Sequence, residues 1–314
     1  MAVVDTLIIG AGPAGLSAAL SLARQLHTAV VFSSGVFRNE ISKHMHTVGT
    51  WDHRDPADFR GAFRKEILER YSSISFVDQT IARVEKRPDT GLFVATASNG
   101  QSWSGRRMLL ATGVRDLPPD IKGYSECWGV RIYHCLFCHG YEDRGASSAG
   151  ILAIGELAAP GGAVALARSA RQMTEKVTIY TNGATELTES ILLMIKESPS
   201  IQVDSRPIEA LALGAGEQSV DISFTTGDSV NEAFLVHKPK CEMSGPFARQ
   251  LGLELTSAGD IKASPPFQAT SVKGVYAAGD VATPAKAVIP AMSTGTFAGI
   301  GIAHDLQGTP GYKI

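Results

Sequence analysis

The feature that most constrains the fold is a glycine-rich turn between an apolar run and a helical stretch near the N-terminus. Residues 3–9 are mostly apolar and rich in β-branched side chains, which predicts a buried strand. Residues 16–26 carry apolar side chains at helical spacing and predict a helix. The turn between them, residues 10–15, reads Gly-Ala-Gly-Pro-Ala-Gly. A strand, a glycine turn and a helix in this order are typical of a dinucleotide-binding α/β fold.

Each glycine of the turn has its own task in such a fold. Gly10 permits the tight turn, Gly12 lets the backbone approach a pyrophosphate, and Gly15 lets helix and strand pack closely. The helix N-terminus offers free N–H groups to the phosphates. The alternative is a glycine-rich turn with no ligand. The predicted cofactor-binding residues here are Gly10, Gly12, Pro13, Ala14 and Gly15.

The second predicted strand, residues 28–32, does not end as a ribose-binding strand usually does. An Asp or Glu is expected there, but the sequence has Ser33 and Ser34. A serine hydroxyl can still bond a ribose oxygen, so both are candidate contacts. Arg38 either lies near the phosphates or belongs to a surface loop. The backbone near Ile81 is a candidate contact for an adenine.

Two later segments extend the predicted cofactor site. A predicted strand over residues 108–113 ends in a small-residue turn, and another over residues 272–280 ends in a carboxylate that can accept hydrogen bonds from a ribityl hydroxyl. The helix that follows points its positive end at the N1–O2 edge of a flavin. FAD is therefore the predicted cofactor. The contacts predicted from these segments are Ala111, Thr112, Gly113, Gly279, Asp280, Val288 and Ile289.

Two cysteines, Cys135 and Cys138, are separated by two residues and can close a small disulfide. Such a pair can be a redox couple, half of a zinc site or a chance occurrence. A structural zinc site needs a second pair of ligands at similar spacing, whereas Cys127 and Cys241 each stand alone. The sequence therefore favours a redox-active dithiol. Cys127 and Cys241 are predicted to be buried small residues.

Residues 41–60 are rich in histidine, with His44, His46 and His53. A metal cluster is one interpretation, but the spacings follow no ligand pattern. We predict instead a loop that lies along the flavin or lines the substrate cleft. His46 is accordingly a candidate cofactor contact, and no metal is expected.

A second strand-turn-helix candidate covers residues 149–154 and 163–171, and its turn departs from the cofactor pattern. Leu157 stands where the second glycine belongs, and Pro160 where the third small residue belongs. A leucine side chain there is expected to block the approach of a pyrophosphate. No Arg or Lys follows the next predicted strand until Lys196, so nothing local can hold a 2′-phosphate. We predict a nucleotide-binding fold that does not bind NADPH.

Composition narrows the function classes. The net charge of −2 and the absence of Lys/Arg runs argue against nucleic acid as a partner. Four cysteines in 314 residues fit a reducing, intracellular setting. No apolar run reaches the roughly 20 residues of a membrane helix, and the N-terminus lacks the basic start of a signal peptide. A cytoplasmic protein of about two domains, without a membrane partner, is predicted.

Four segments together resemble the low-molecular-weight thioredoxin reductases over almost the whole chain: residues 10–15, 111–113, 135–138 and 274–280. The resemblance implies an α/β fold with two Rossmann-like domains, FAD as the cofactor and a homodimer. It implies a discontinuous FAD-binding domain over residues 1–117 and 241–314. The inserted residues 118–240 form a degenerate NAD(P)-binding-like domain that carries the cysteine pair.

The sequence departs from that family after the second cysteine. His139 replaces the usual aspartate, and the chain continues Gly140-Tyr141-Glu142. In this it is similar to the fungal and bacterial dithiol oxidases of the gliotoxin and holomycin pathways, which close the disulfide of epidithiodioxopiperazine or dithiolopyrrolone products. That resemblance implies a small-molecule dithiol substrate, O2 as electron acceptor and H2O2 as product.

The same resemblance assigns roles to the sulfurs. Cys135 is the outer sulfur that the substrate attacks, and Cys138 lies nearer the flavin. Exchange needs thiolates, so a base is expected beside the pair, and His139 and His134 are the candidates. Two alternatives stay open: an NADPH-dependent disulfide reductase that runs the couple in the opposite direction, and a non-catalytic protein that binds the metabolite and confers resistance.

Overall fold

The structure is a computed structural model, and it describes residues 2–196 and 198–312. The chain forms two units, each built around its own sheet, which is mixed in unit 1 and parallel in unit 2. Unit 1 consists of Met1–His44, Val48–Arg115 and Glu242–Ile314, and unit 2 of Met45–Thr47 and Asp116–Cys241.

The strands and helices alternate in the first part of each unit. The strands are β1 (Val4–Ile9), β2 (Ala29–Phe32), β3 (Ile74–Val77), β4 (Ile81–Lys86), β5 (Phe93–Ala97), β6 (Ser102–Leu110), β7 (Val114–Leu117), β8 (Ile132–Tyr133), β9 (Ala146–Leu152), β10 (Thr174–Tyr180), β11 (Ile201–Asp204), β12 (Ile208–Leu213), β13 (Val220–Phe224), β14 (Val230–Glu232), β15 (Leu235–Val236), β16 (Lys240–Met243) and β17 (Val275–Ala277). The helices are α1 (Pro13–Arg24), α2 (Pro56–Arg70), α3 (Tyr124–Cys127), α4 (Pro160–Ala170), α5 (Thr185–Ile195), α6 (Phe247–Leu251) and α7 (Val288–Gln307).

The sheet of unit 1 has the order β3-β2-β1-β6-β5-β4, and β17 also pairs with β6. β1 runs parallel to both β2 and β6, so that Ile9 is level with Phe32 on one side and with Leu110 on the other. The long strand β6 pairs with β5 over its first half and with β17 over its second half. The carboxyl ends of β1, β2, β6 and β17 therefore meet at one edge, which is where ligands bind in open α/β sheets.

Helices α1 and α7 pack against each other through small residues. A Cβ added to Gly295 would lie 2.1 Å from the carbonyl oxygen of Ala14, and one added to Gly299 would lie 2.7 Å from that of Ala18. A larger residue would push the helices apart, so glycine is required for this contact. The packing fixes the N-terminal half of α7 against the first turns of α1. α1 itself begins at Pro13, earlier than the predicted start at residue 16, because proline suits the first helical position.

The two chain ends of unit 1 that flank the insertion of residues 116–241 lie side by side. The N–H of Ser244 donates to the carbonyl oxygen of Gly113 at 3.0 Å, and Arg115 forms an ion pair with Glu242. Strands β7 and β16, in which the chain passes between the units, form a two-stranded sheet. The insertion of unit 2 therefore leaves the two ends of unit 1 joined by hydrogen bonds.

The main sheet of unit 2 is parallel throughout, with the order β11-β10-β9-β15-β8. Ile151 and Ile179 of its central strands are fully buried with Ala163 and Ala167 of α4. β8 is an edge strand, and the chain leaves its carboxyl end directly into His134 and Cys135. A separate antiparallel sheet, β12-β13-β14, completes the unit.

Among the helices formed by residues 2–196 and 198–312, none is both long enough and apolar enough to cross a bilayer.

Candidate active site

The glycine turn of unit 1 is closed by backbone on one side and open on the other. Gly10 has a φ of +115°, and a Cβ there would lie 2.2 Å from the carbonyl oxygen of Ala111. A Cβ at Gly15 would lie 1.9 Å from the carbonyl oxygen of Gly10, whereas a Cβ at Gly12 would meet no atom within 4 Å. Gly12 is also the N-cap of α1, and no side chain caps the helix N–H groups there. This open cradle with backbone donors fits a pyrophosphate.

The C-terminal motif lies directly on this turn. Gly279 has a φ of +77°, and a Cβ there would lie 2.9 Å from the Cβ of Ala14. The N–H of Gly279 donates to the hydroxyl of Thr294 at 3.0 Å, which ties the segment to α7. Val288 and Ile289 form the first turn of that helix, and Ile289 is exposed.

Asp280 and Arg38, both predicted as cofactor contacts, lie together. The Nη1 of Arg38 donates to the Oδ2 of Asp280 at 3.0 Å, and both side chains are largely buried. Lys286, which the sequence reasoning did not select, donates to the backbone carbonyl of Asp280 at 2.8 Å and to Asp260 at 2.7 Å. The strand end after β17 is therefore a charged junction held by two cations.

Other predicted contacts have local partners. The hydroxyl of Ser33 accepts the N–H of Gly35 at 3.3 Å, and that of Ser34 accepts the N–H of Val36 at 3.4 Å. Both serines thus shape the turn after β2. Ile81 begins β4, and its side chain is buried in the core of unit 1. Thr112 and Gly113 continue from Ala111, beside the turn at Gly10. Whether any of these residues contacts FAD stays a prediction.

Arg60 of α2 is a further basic residue near the loop that carries Arg38, and no motif in the sequence points to it. Its guanidinium donates to the amide oxygen of Asn39 at 3.0 Å and lies 4.0 Å from the ring centre of Phe37. Burial lowers the pKa of this guanidinium, against the charges of Asp55 and Glu40. The loop after β2 is therefore anchored by a residue from a distant helix.

In unit 2, Cys135 and Cys138 form a disulfide. Their Cα atoms are 5.2 Å apart. The N–H groups of Cys138 and His139 both donate to the carbonyl oxygen of Cys135, at 3.2 and 3.0 Å. Phe137, inside the loop, is 84% exposed. The disulfide therefore closes one tight turn at the carboxyl edge of a parallel sheet, with an aromatic ring presented to solvent.

His139 lies on the inner side of this turn. Its ring stacks on that of Tyr133 with a centroid separation of 5.1 Å. Burial lowers the pKa of His139, and the charge of His46 lowers it further, against Glu142 and Asp143. His139 is therefore neutral near pH 7, which is the form that can accept a proton from a thiol.

Tyr133 is itself fixed by a charged group. Its hydroxyl donates to the carboxylate of Asp143 at 3.0 Å, and Asp143 also pairs with Arg131 at 2.5 Å. Burial raises the pKa of the Tyr133 phenol. The ring under His139 is thus a neutral phenol held in one orientation.

His46 belongs to unit 2, although the segments on both sides of it belong to unit 1. Its Nδ1 lies 2.7 Å from the carbonyl oxygen of Cys138, and its Nε2 lies 3.3 Å from Oε1 of Glu142. The predicted contact between His46 and the cofactor stays a prediction, while its contact with the cysteine turn is a new finding. Glu142 was not predicted as a site residue, because in the sequence it stands out only as part of the motif that follows Cys138.

The other histidine and cysteines that the sequence singled out are His134, Cys127 and Cys241. His134 is half-buried, with its ring centre 6.0 Å from that of Trp128. Cys127 is fully buried as predicted, and burial raises its pKa to about 11. The prediction that Cys241 is buried was wrong: it is only half-buried, and its thiol donates to the carboxylate of Asp116 at 3.0 Å.

The turn between β9 and α4 differs from the prediction in one respect. Leu157 is 4% exposed and packs in the core of unit 2 beneath a short 3₁₀ turn, Gly155–Leu157. Its side chain does not stand across the outer face of the turn, so the expected steric block was wrong. After β10, the side chain of Asn182 accepts the N–H of Ile208 at 2.7 Å. Arg206 is occupied by Asp204 and by the ring of Phe224.

Fold and site together define a class of protein. One unit presents an open glycine turn at the carboxyl edge of its sheet, and the other presents a two-cysteine disulfide beside a neutral histidine. That combination is typical of the flavin-dependent disulfide oxidoreductases.

Comparison with known proteins agrees with this class. The family described as "Pyridine nucleotide-disulphide oxidoreductase" matches residues 4–142. "Thioredoxin reductase sirT" from Leptosphaeria maculans is 44% identical, over 98% of this chain and 95% of that protein. "Thioredoxin reductase aclD" from Aspergillus oryzae is also 44% identical, over 96% of each chain. The protein belongs to the thioredoxin reductase family of pyridine nucleotide-disulphide oxidoreductases.

The solved structures support the fold. The crystal structure of an oxidoreductase from Agrobacterium tumefaciens is 29% identical and covers 98% of this chain and 99% of that one, with a TM-score of 0.86. The predicted α/β class with two Rossmann-like units is therefore confirmed. Proteins of this family are FAD-dependent, and the open cradle at Gly12 fits the pyrophosphate of that cofactor.

Proposed function

We propose that this protein is an FAD-dependent thiol oxidase that converts a small-molecule dithiol into its intramolecular disulfide, with O2 as acceptor and H2O2 as product. One observation carries the proposal. The unit that holds the Cys135–Cys138 disulfide has a second dinucleotide-type turn that is folded inward on Leu157, and the side chain of Asn182 beyond the next strand is engaged by the N–H of Ile208. This turn, which lacks the glycine pattern of unit 1, supports entry of electrons from a thiol substrate rather than from a nucleotide.

The residues around the disulfide support two exchange steps. In the first, a substrate thiolate attacks Sγ of Cys135, a mixed disulfide forms, and Cys138 leaves with the electron pair of the broken bond. In the second, His139 accepts the proton of the other substrate thiol, whose sulfur then attacks the sulfur joined to Cys135. The product ring closes, and Cys135 leaves as a thiolate. The substrate has lost two electrons and two protons, and the enzyme pair has gained the electrons.

The cofactor site supplies the other half of the reaction. Gly12, Ala14, Gly279 and Asp280 would hold FAD, with Arg38 beside Asp280. Bound FAD would supply the acceptor for the electron pair, which O2 then removes as H2O2.

The substrate class rests on the string from Cys135 to Glu142, which is similar to that of the dithiol oxidases of sulfur-containing secondary metabolism. We propose that the substrate is of the epidithiodioxopiperazine type and that the enzyme acts in its biosynthesis and in self-protection. We also propose that the protein is a homodimer in the cytoplasm. Phe137, 84% exposed within the redox turn, supports a bulky apolar substrate.

A second candidate is an NADPH-dependent thioredoxin reductase. It is favoured by the names of the relatives, which are called thioredoxin reductases. In that case the electron pair would pass from NADPH to the cysteine pair, and from there to a protein disulfide.

One pair of experiments separates the candidates. Under anaerobic conditions, dithiothreitol should bleach the flavin absorbance of the purified holoenzyme within the time of one catalytic turnover, and NADPH should not. In air, dithiothreitol should drive O2 consumption with one H2O2 formed for each disulfide. Rapid bleaching by NADPH with reduction of thioredoxin would replace the proposal with the reductase. Binding of a dithiol without peroxide would instead indicate a non-catalytic resistance protein.

A further inference from the structure

His46 lies between two hydrogen-bond acceptors. Its Nδ1 is 2.7 Å from the carbonyl oxygen of Cys138, and its Nε2 is 3.3 Å from the carboxylate of Glu142. A carbonyl oxygen only accepts hydrogen bonds, so Nδ1 carries a proton. A carboxylate also only accepts when ionised, so the second proton on Nε2 is favoured too. With its side chain only 12% exposed, His46 is held between these two acceptors, against the backbone of the inner cysteine.

The neighbouring histidine is in the opposite state. The rings of His46 and His139 are 6.2 Å apart, and burial together with the His46 charge lowers the pKa of His139. Two cations so close together are unfavourable. His139 is therefore the histidine that can take a proton, whereas both nitrogens of His46 face acceptors.

A positive charge on His46 would lie against the backbone of one cysteine, Cys138. Reduction of the disulfide turns Cys138, the residue whose carbonyl contacts His46, from a neutral sulfur into a thiolate. A nearby cation stabilises the thiolate and not the disulfide. A leaving group that is stabilised as an anion also leaves faster, and a disulfide whose reduced form is stabilised is the stronger oxidant.

We propose that His46, kept cationic by Glu142, is a positioning residue that stabilises the Cys138 thiolate and so makes the Cys135–Cys138 disulfide more oxidising. The inference rests on the proposed role of this pair in dithiol exchange. In the step concerned, the bond between a substrate sulfur and Sγ of Cys135 forms, the bond between the two cysteine sulfurs breaks, and the electron pair stays on Cys138. His46 takes no proton and forms no bond to the substrate.

The test is an equilibrium measurement on the FAD-bound protein. Wild type and His46→Gln are equilibrated anaerobically at fixed pH with mixtures of reduced and oxidised dithiothreitol, and the thiols are trapped by alkylation and counted by mass spectrometry. Glutamine keeps a hydrogen-bond donor and removes the charge. We expect the equilibrium constant for reduction of the pair to fall about tenfold in His46→Gln, equivalent to about 30 mV for this two-electron couple.

Three further variants make the result specific. Glu142→Gln should shift the constant in the same direction by a smaller factor, because the Glu142 side chain is 42% exposed. His46→Lys restores a cation and should lie closer to wild type than His46→Gln. His44→Gln, an exposed histidine of unit 1, should leave the constant unchanged.

The outcomes are separable from those of the proposed function. An unchanged equilibrium constant in a folded, FAD-bound His46→Gln protein would overturn the inference, even if dithiol oxidation proceeds normally. A tenfold shift in a protein that proves to be a reductase would support it, because the measurement involves neither O2 nor NADPH. If His46→Gln fails to fold, Glu142→Gln decides: a constant equal to that of wild type would sink the idea.

Discussion

The two dinucleotide-type turns of this protein start from the same sequence of elements and differ in what fills them. In unit 1 the chain needs only Gly10, Ala11 and Gly12 to pass from β1 to α1, and the space in front of Gly12 is open. In unit 2 the chain between β9 and α4 is longer, makes a 3₁₀ turn and places Leu157 in the core. Both helices begin with proline. The same order of strand, turn and helix is therefore kept with a longer turn that buries an apolar side chain.

The two turns also lie in units with different functional groups. The open turn belongs to the unit with Asp280 and Arg38, which fits a cofactor. The turn between β9 and α4 belongs to the unit with the disulfide and its two histidines, which fits thiol–disulfide exchange. Substitutions in unit 1 should therefore alter FAD binding, and substitutions in unit 2 should alter disulfide exchange without loss of FAD.

The largest effect is expected for the cysteines. Cys135→Ser and Cys138→Ser should each reduce dithiol oxidation to below about 1% of the wild-type rate, because exchange needs both sulfurs. Both variants should retain FAD, since the cysteines lie in unit 2. O2 uptake with dithiothreitol measures the loss, and the ratio of flavin to protein absorbance measures the cofactor. Cys241→Ser is the matched control, because a serine hydroxyl can keep the bond to Asp116. Normal turnover in either active-site variant would refute disulfide exchange.

The next effect concerns the two turns themselves. Gly12→Val should weaken FAD binding about tenfold or more, because the side chain enters space that the protein leaves open for phosphate. Gly161→Val, in the first turn of α4, also meets no protein atom within 4 Å and should leave the FAD content unchanged. Equilibrium dialysis with FAD, with circular dichroism as the control for folding, gives the answer. Equal FAD affinities for the two variants would show that the turn at Gly12 does not hold the cofactor.

The smallest effect is a pH dependence of stability in unit 2. His237 is 2% exposed, its Nδ1 is 2.7 Å from the Tyr124 hydroxyl, and burial lowers its pKa to about 4. Its folded-state pKa lies below that of the unfolded chain, about 6.5, so its contribution is fully present above pH 6.5. That contribution, up to about 3 kcal/mol, is lost as the pH falls from about 6.5 to 4.

His237→Gln should therefore flatten the acid side of the stability curve. The melting temperature of wild type should drop between pH 7 and pH 5 by more than that of the variant, measured by scanning calorimetry. A constant difference between the two proteins at all pH values would mean that His237 does not titrate on unfolding.

The sequence predicted the elements well where one physical signal was enough. The residues of β1 and β17 and the last three residues of β6 are buried almost throughout, and the two cysteines close the disulfide that their spacing allows. Gly10 and Gly279 have the positive φ angles for which glycine is suited. Such features depend on neighbours in the sequence, so a single chain reveals them.

The contacts that were missed depend on distance in the sequence. His46 and Cys138 are 92 residues apart, and no periodicity links them. Arg60 reaches the loop after β2 from within α2. Leu157 was expected to face outward because its position was aligned with a glycine, whereas the apolar side chain is buried by the 3₁₀ turn. Long-range pairing and the hydrophobic effect decided these cases, and neither is visible in a local motif.

The adjacency of Gly113 to Ser244 has a consequence for engineering the chain. The two ends of unit 1 at this junction are already held together by a backbone hydrogen bond and an ion pair. A shortened gene that joins Arg115 to Glu242 through a brief turn would therefore encode unit 1 without residues 116–241. The same junction offers a place to exchange those residues for another insert.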